Sequence, residues 1–313
     1  MDNINHLPED VLLRILSLNT IKPVMATSLL SKRWRSLWTL VPGLSYDDKN
    51  HNGDYKSFTR FVSRSFLSNK APVLEHLHLS LGHGCPFEDI GLWINLALSR
   101  HVRELHIHIR SSKKGSLTLP SSLYTSETLQ SLTLIKCVSL DVPVHVRLPS
   151  LKTLSLGFVT YADMSLQRLL SGCPNLEALS VEHRSEDSPM GYICPTTKHV
   201  GPTHKFLKAL TSVRRLKLWI TRPEKLGWGS RFSNSGRKIP TGWKPPSSVP
   251  ECLLHSLEAF EWLRYRGRHG DKEMAAYVLK NATCLKTATF YPKSTHLGKK
   301  NRMIKELASE LFD

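Results

Sequence analysis

Histidine is the residue type whose spacing first suggests chemistry here. His76 and His78 stand two apart, and His101, His106 and His108 follow within one segment. Neutral imidazoles in such groups are common ligands for zinc and other late first-row metals. His106 and His108 alternate with Ile107 and Ile109, however, so on a strand both rings project from the polar side. No cysteine or carboxylate cluster accompanies them, and a water-facing pair accounts for the pattern better than a metal site. A second group interleaves Trp219, Trp228, Phe232 and Trp243 with lysine and arginine, the combination on which single-stranded nucleic acid stacks. No G-x-x-x-x-G-K-[ST], G-x-G-x-x-G after a strand, H-E-x-x-H or G-x-S-x-G occurs. The sequence therefore predicts no catalytic residue, no metal and no cofactor.

The elements that must carry these residues belong to a chain of 313 residues, long enough for about two domains. No apolar run approaches the roughly 18 residues that span a bilayer, which excludes a helical membrane protein. The start has neither a basic flank nor an apolar stretch, so no signal peptide is expected. Six cysteines lie 21 to 58 residues apart, which predicts reduced thiols in an intracellular protein of nucleus or cytoplasm. The net charge is +17, and the window 201–250 alone supplies +10 of it, from 11 basic residues and one acidic. An evenly basic nucleic-acid surface is therefore a poor description, and a solvated connector with a few anchoring aromatics is the better one.

Between Leu7 and Leu40, 17 of 34 residues are apolar. Pro8 suits the opening of a helix, with Glu9 and Asp10 at its positive end. Val11, Leu12, Ile15 and Leu16 form a stripe at helical spacing. Pro23 opens a second short helix to about Leu30. Ser31 is the expected N-cap of a third, Lys32 to Leu40, carrying Trp34, Leu37 and Trp38. Helices this short cannot all hide their apolar faces, so these pack either on the rest of the chain or on a second polypeptide. The residues alone leave both open.

The stretch Leu7 to Ser17 (LPEDVLLRILS), followed by Ala26 to Trp38 (ATSLLSKRWRSLW), resembles an F-box of the large plant F-box/leucine-rich-repeat family. It departs from the family pattern at Asn19 to Pro23, where a polar residue replaces an apolar one and the proline is displaced. The resemblance implies docking on a Skp-type adaptor, and through it a cullin, by Leu7, Pro8, Leu12, Ile15, Leu16, Leu30, Trp34 and Trp38.

A second pattern, L-x-x-L-x-L, recurs at Leu74, Val102, Leu129, Leu151 and Leu176, with steps of 28, 27, 22 and 25 residues. It resumes at Val213, Leu257 and, degenerately, Leu285, after steps of 37, 44 and 28. Each unit suits a short strand with one buried face, and only stacking covers that face. Helical spacing of Ile90, Trp93, Ile94, Ala97 and Leu98, and a stop at Gly172 and Pro174 after Leu170, place helices between strands. The two long steps predict a solenoid that is incomplete or bends near Thr221 to Pro250. The last 69 residues read as strand, helix, strand and a final helix from about Lys299 with Met303, Ile304, Leu307 and Leu311 on one side. From Pro245 to Thr287 they resemble the FBD module that closes many such proteins.

The expected fold is mixed α/β: F-box at 1–48, leucine-rich-repeat solenoid at 55–220, basic linker at 221–244 and FBD cap at 245–313. The resemblance implies a non-catalytic substrate receptor of an Skp-cullin-F-box ubiquitin ligase. Its repeats would hold a target protein that the sequence does not identify. Two other readings remain open: nucleic-acid binding through 201–250, and an adaptor-binding protein whose target site is incomplete.

Overall fold

The computed structural model describes residues 4–49, 54–82, 84–110, 115–136, 138–161, 163–183, 204–220, 245–294 and 296–312. The chain opens with three short helices, α1 (Glu9–Ser17), α2 (Ile21–Ala26) and α3 (Trp34–Leu37). Pro8 stands immediately before α1, and Glu9 and Asp10 fill its first turn. The second helix begins at Ile21, earlier than Pro23 suggests, because a proline in the first turn gives up no hydrogen bond. The third begins at Trp34 and not Lys32. Arg33 already has helical angles there (φ −62°, ψ −42°), so Ser31 is no cap.

From there the chain alternates strands with returning segments. In order these are β1 (Gly43–Asp47), α4 (Tyr55–Ser68), β2 (His76–Leu81), α5 (Phe87–Ser99), β3 (Glu104–Ile109), β4 (Leu117–Thr118) and β5 (Ser131–Ile135). They continue with β6 (Val138–Leu140), β7 (Thr153–Gly157), β8 (Thr160–Tyr161), α6 (Asp163–Ser171), β9 (Ala178–His183) and β10 (Arg215–Ile220). The last elements are α7 (Glu251–His255), β11 (Ala259–Tyr265), α8 (His269–Asn281), β12 (Thr287–Pro292) and α9 (Leu297–Phe312). Asp54 caps α4 by accepting the Ser57 amide at 3.0 Å. Before Gly172 the helix α6 stops, as expected.

Nine strands form one parallel sheet in the order β1-β2-β3-β5-β7-β9-β10-β11-β12, which is chain order. The short β4, β6 and β8 make a second parallel sheet on the return path. Each L-x-x-L-x-L unit supplies one strand of the large sheet, and the register stacks like on like. Leu44, Leu77, Leu105, Leu132, Leu154, Leu179, Leu216 and Phe260 run across neighbouring strands as one row. All are buried. Their alternate neighbours (Ser45, His78, His106, Thr133, Ser155, Ser180, Lys217 and Glu261) form a parallel row on the opposite, open face.

The large sheet is not interrupted at the long steps. β10 pairs with β11 from Arg215↔Ala259 to Leu218↔Trp262, so the sheet is continuous across the longest step. The reason is topological: a parallel neighbour needs only a connection that returns to the same edge, and its length is nearly free. At the far end Ala288 in the leucine row is exposed, because β12 is an edge strand with a degenerate repeat. The closing strand–helix–strand–helix order is as expected, with α9 held to α8 by Lys272 Nζ donating to Glu306 Oε2 at 2.7 Å.

Candidate functional site

Two surfaces come out of this fold, and the first is at the amino-terminal helices. Leu12, Leu16 and Trp34 are 0, 4 and 3% exposed. They join Leu44 and Tyr46 of β1 in the common core. Leu7 and Trp38 are half-buried against that core, and Pro8 is exposed. Of the eight residues expected to touch an adaptor, Leu12, Leu16 and Trp34 are thus buried within this chain. Once β1 pairs with β2, the sheet itself supplies the apolar cover that these helices lack. What stays outside is Ile15 (40% exposed), Leu18 (85%), Leu29 (88%) and Leu30 (67%). Sequence reasoning does not single out Leu18 and Leu29. The signal is there, since Leu29-Leu30 is a doublet and a short helical segment buries only one side. Arg33 Nη2 donates to the Leu7 carbonyl at 2.6 Å and so ties the third helix to the start of the first.

A charged joint ties together the ends of β1, β2 and β3. Asp48, whose side chain is 2% exposed, pairs with the Arg110 guanidinium and accepts the Gly82 amide at 2.6 Å. Arg110 Nη1 also donates to Asp47 Oδ1 and to Ser80 Oγ, both at 3.1 Å. Burial pushes the Asp47 carboxyl up. Hydrogen bonds from the Lys49 amide and from Arg110 outweigh this and hold it below the usual range.

The second surface is the open face of the large sheet. At its amino-terminal end His76, His78 and His106 lie ring against ring, with centroids 4.8 and 5.5 Å apart. The His76 ring fills the space above Gly43, where any Cβ would fall 1.8 Å from its Cε1 atom. His106 and His108 project from the polar side as the alternation requires, but they are half-buried and not freely solvated. Among the described residues no group of His, Cys, Asp and Glu could hold a metal ion. Burial, with His76 and His106 beside it, pushes His78 down to about 4. Burial lowers His106 as well, and lowers His108 with help from Lys136 and other neighbouring charges.

The sign of the effect on stability follows. Above about pH 6.5 the imidazoles are neutral folded or unfolded and contribute nothing. As pH falls from there toward 4, the unfolded chain takes up protons that the folded chain refuses, so stability falls. Denaturation midpoints measured between pH 7.5 and 5 should drop, and His78→Asn should flatten the drop.

At the carboxy-terminal end of the open face, Phe158 and Trp219 meet edge to face with centroids 5.4 Å apart. Arg264 lies over the Trp219 ring at 5.0 Å. Beside them Lys217 pairs with Glu261 at 3.5 Å. Glu182 is raised by burial against the pull of Lys217. Of the four aromatics in the basic window, Trp219 is therefore part of the sheet, while Trp228, Phe232 and Trp243 lie outside the described residues. Cys85, Cys173 and Cys252 are buried and unpaired, their thiols pushed by burial up to about 12. Among the described residues no helix is long and apolar enough to cross a membrane.

Comparison with known families matches the F-box domain at residues 4–45. The repeats of the FBD-associated F-box protein At5g56370 match at residues 90–220, and FBD matches at 244–290. The chain is 46% identical to F-box/FBD/LRR-repeat protein At4g26340 of Arabidopsis thaliana, over 99% of this chain and 97% of that protein. It is 37% identical to the putative F-box/FBD/LRR-repeat protein At4g26350 of the same plant, over 99% of this chain and 96% of the relative. Against FBD-associated F-box protein At5g56370, again from that plant, it is 35% identical over 98% and 97%. The first alignment runs over 406 positions while this chain has 313 residues, so at least 93 positions stand opposite gaps in it. The chain is internally shorter than these relatives, by a length that corresponds to about three to five repeats of 20–29 residues.

Proposed function

This chain belongs to the F-box/FBD/LRR-repeat family, and from that premise we propose that it is a substrate receptor of an Skp-cullin-F-box ubiquitin ligase. In this reading the amino-terminal helices dock on a Skp-type adaptor, which links them to the cullin. The open face of the sheet holds the target. The receptor makes and breaks no bond. It raises the effective concentration of the target's lysines beside a ubiquitin-carrying enzyme. Repeats 55–220 and the FBD segment 245–313 act here as one recognition body, since β11 and β12 extend the same sheet.

The observation that carries the adaptor half is the contrast between Leu29 and Leu30, exposed beside a core that has already taken Leu12, Leu16 and Trp34. An apolar side chain covered by a partner contributes roughly 1.5–3 kcal/mol. Burying Ile15, Leu18, Leu29 and Leu30 therefore suffices to offset much of the cost of association. The test is co-purification with a Skp-type adaptor. Leu29→Asp/Leu30→Asp should abolish it while shifting the melting temperature little. Retention of the adaptor by that folded variant overturns the assignment.

A further inference from the structure

The stack at the carboxy-terminal end of the open face is built by a break in the strand's own alternation. In β11 the register slips between Leu263 and Tyr265, leaving Arg264 as an extra residue with φ +52°. Without the slip Tyr265 would face outward. With it, Tyr265 stays in the core at 0% exposure, and Leu263 and Arg264 both turn to the open side. A bulge re-aims a side chain in this way, at the cost of a backbone angle that non-glycine residues avoid. Here it carries a guanidinium onto an indole. An arginine lying over an aromatic ring keeps its N–H donors free at the edge, in the fork geometry that matches a carboxylate. Among the described residues Arg264 has no carboxylate partner, whereas Lys217 is engaged by Glu261.

Of the apolar surroundings, Phe158 and Trp219 are half-buried. Tyr291 is 50% exposed and pairs with Leu263 in the register. Phe158, itself at φ +56°, turns onto Trp219. We propose that this end of the open face docks an acidic segment of the target polypeptide, its carboxylate forked by Arg264 and its neighbouring apolar side chain laid on Trp219, Phe158 and Tyr291. The charge argument selects the occupant: a chain of net charge +17 steers acidic partners, and among the described residues Arg264 is a cation of this face with no carboxylate partner. Glu182, opposite Trp219 in the sheet, and Glu261 beside Lys217 make a dianionic phosphate or a polyphosphate strand a worse fit than a single carboxylate. The proposal rests on the reading of the open face as the target surface.

The test uses the purified full chain and a fluorescein-labelled peptide alternating glutamate or aspartate with leucine and phenylalanine, read by anisotropy. Arg264→Gln and Trp219→Leu should each weaken binding at least tenfold, and Tyr291→Ser about threefold. A peptide with lysine for each acidic residue, and an oligothymidine strand, should bind at least tenfold more weakly than the acidic peptide. Equal binding by Arg264→Gln and Tyr291→Ser, by the lysine peptide or by oligothymidine overturns the proposal, as does tighter binding of a phosphoserine version. Such a failure with the adaptor still held leaves the receptor reading standing. Adaptor retention by Leu29→Asp/Leu30→Asp would instead remove that reading whatever the peptides do.

Discussion

Replacing Arg110 by alanine should cost about 3–5 kcal/mol of stability, the cost of leaving a buried charge uncompensated. Asp48 is the reason. Its side chain is 2% exposed, and besides Arg110 its carboxylate accepts the Gly82 amide. Removing the guanidinium leaves that carboxylate in a site that water hardly reaches. Adding Asp48→Asn to the Arg110→Ala chain should restore a large part of the loss, because a neutral amide is cheaper to bury than an unpaired anion. A double-mutant cycle on urea midpoints separates the pair's coupling from the packing of the arginine stem. If Arg110→Ala shifts stability by less than about 1 kcal/mol, the joint is not what holds the ends of β1, β2 and β3 together. The joint sits at the far end of the edge strand β1 that directly follows α1 to α3.

How far the sequence foretells this arrangement depends on whether each residue's environment is set locally. Leu77, Leu105 and their counterparts repeat a spacing that only a stacked strand explains, so eight strands of the large sheet are legible from leucine spacing alone. The ninth, β1, has the same spacing in Val41, Leu44 and Tyr46. It escapes notice because it directly follows the three-helix pattern and looks like that unit's end. Burial of Leu12, Leu16 and Trp34 is not legible, since a helical stripe looks alike whether it meets the chain's own sheet or another protein. The placement of Arg264 is not legible either, because a bulge breaks the alternation on which strand reading depends.

The shortening shows the same division between what is local and what is not. The long steps in the repeat pattern do not tell what the remaining chain does there. Each repeat buries its leucine row against whichever repeat comes next. Across the longest step the stack sets Arg215 beside Ala259, and Lys217 and Glu261 form an ion pair at 3.5 Å. The open face keeps its rows while its length falls.

The sharpest separation of the two faces comes from one pair of neighbours, Leu154 and Ser155 in β7. Leu154→Asp should lower stability by more than about 4 kcal/mol, enough to abolish cooperative unfolding in a marginally stable chain. Leu154 is 0% exposed and sits in the row between Leu132 and Leu179, so the carboxylate would enter a core with no cation or donor to meet it. Ser155→Asp, one residue on, should stay within about 0.5 kcal/mol, since its side chain faces the open side between Thr133 and Ser180. Circular-dichroism melts of the two variants decide the matter. Similar losses from both would mean that the sheet is covered on both faces. The surface proposed for target binding would then lie inside the protein.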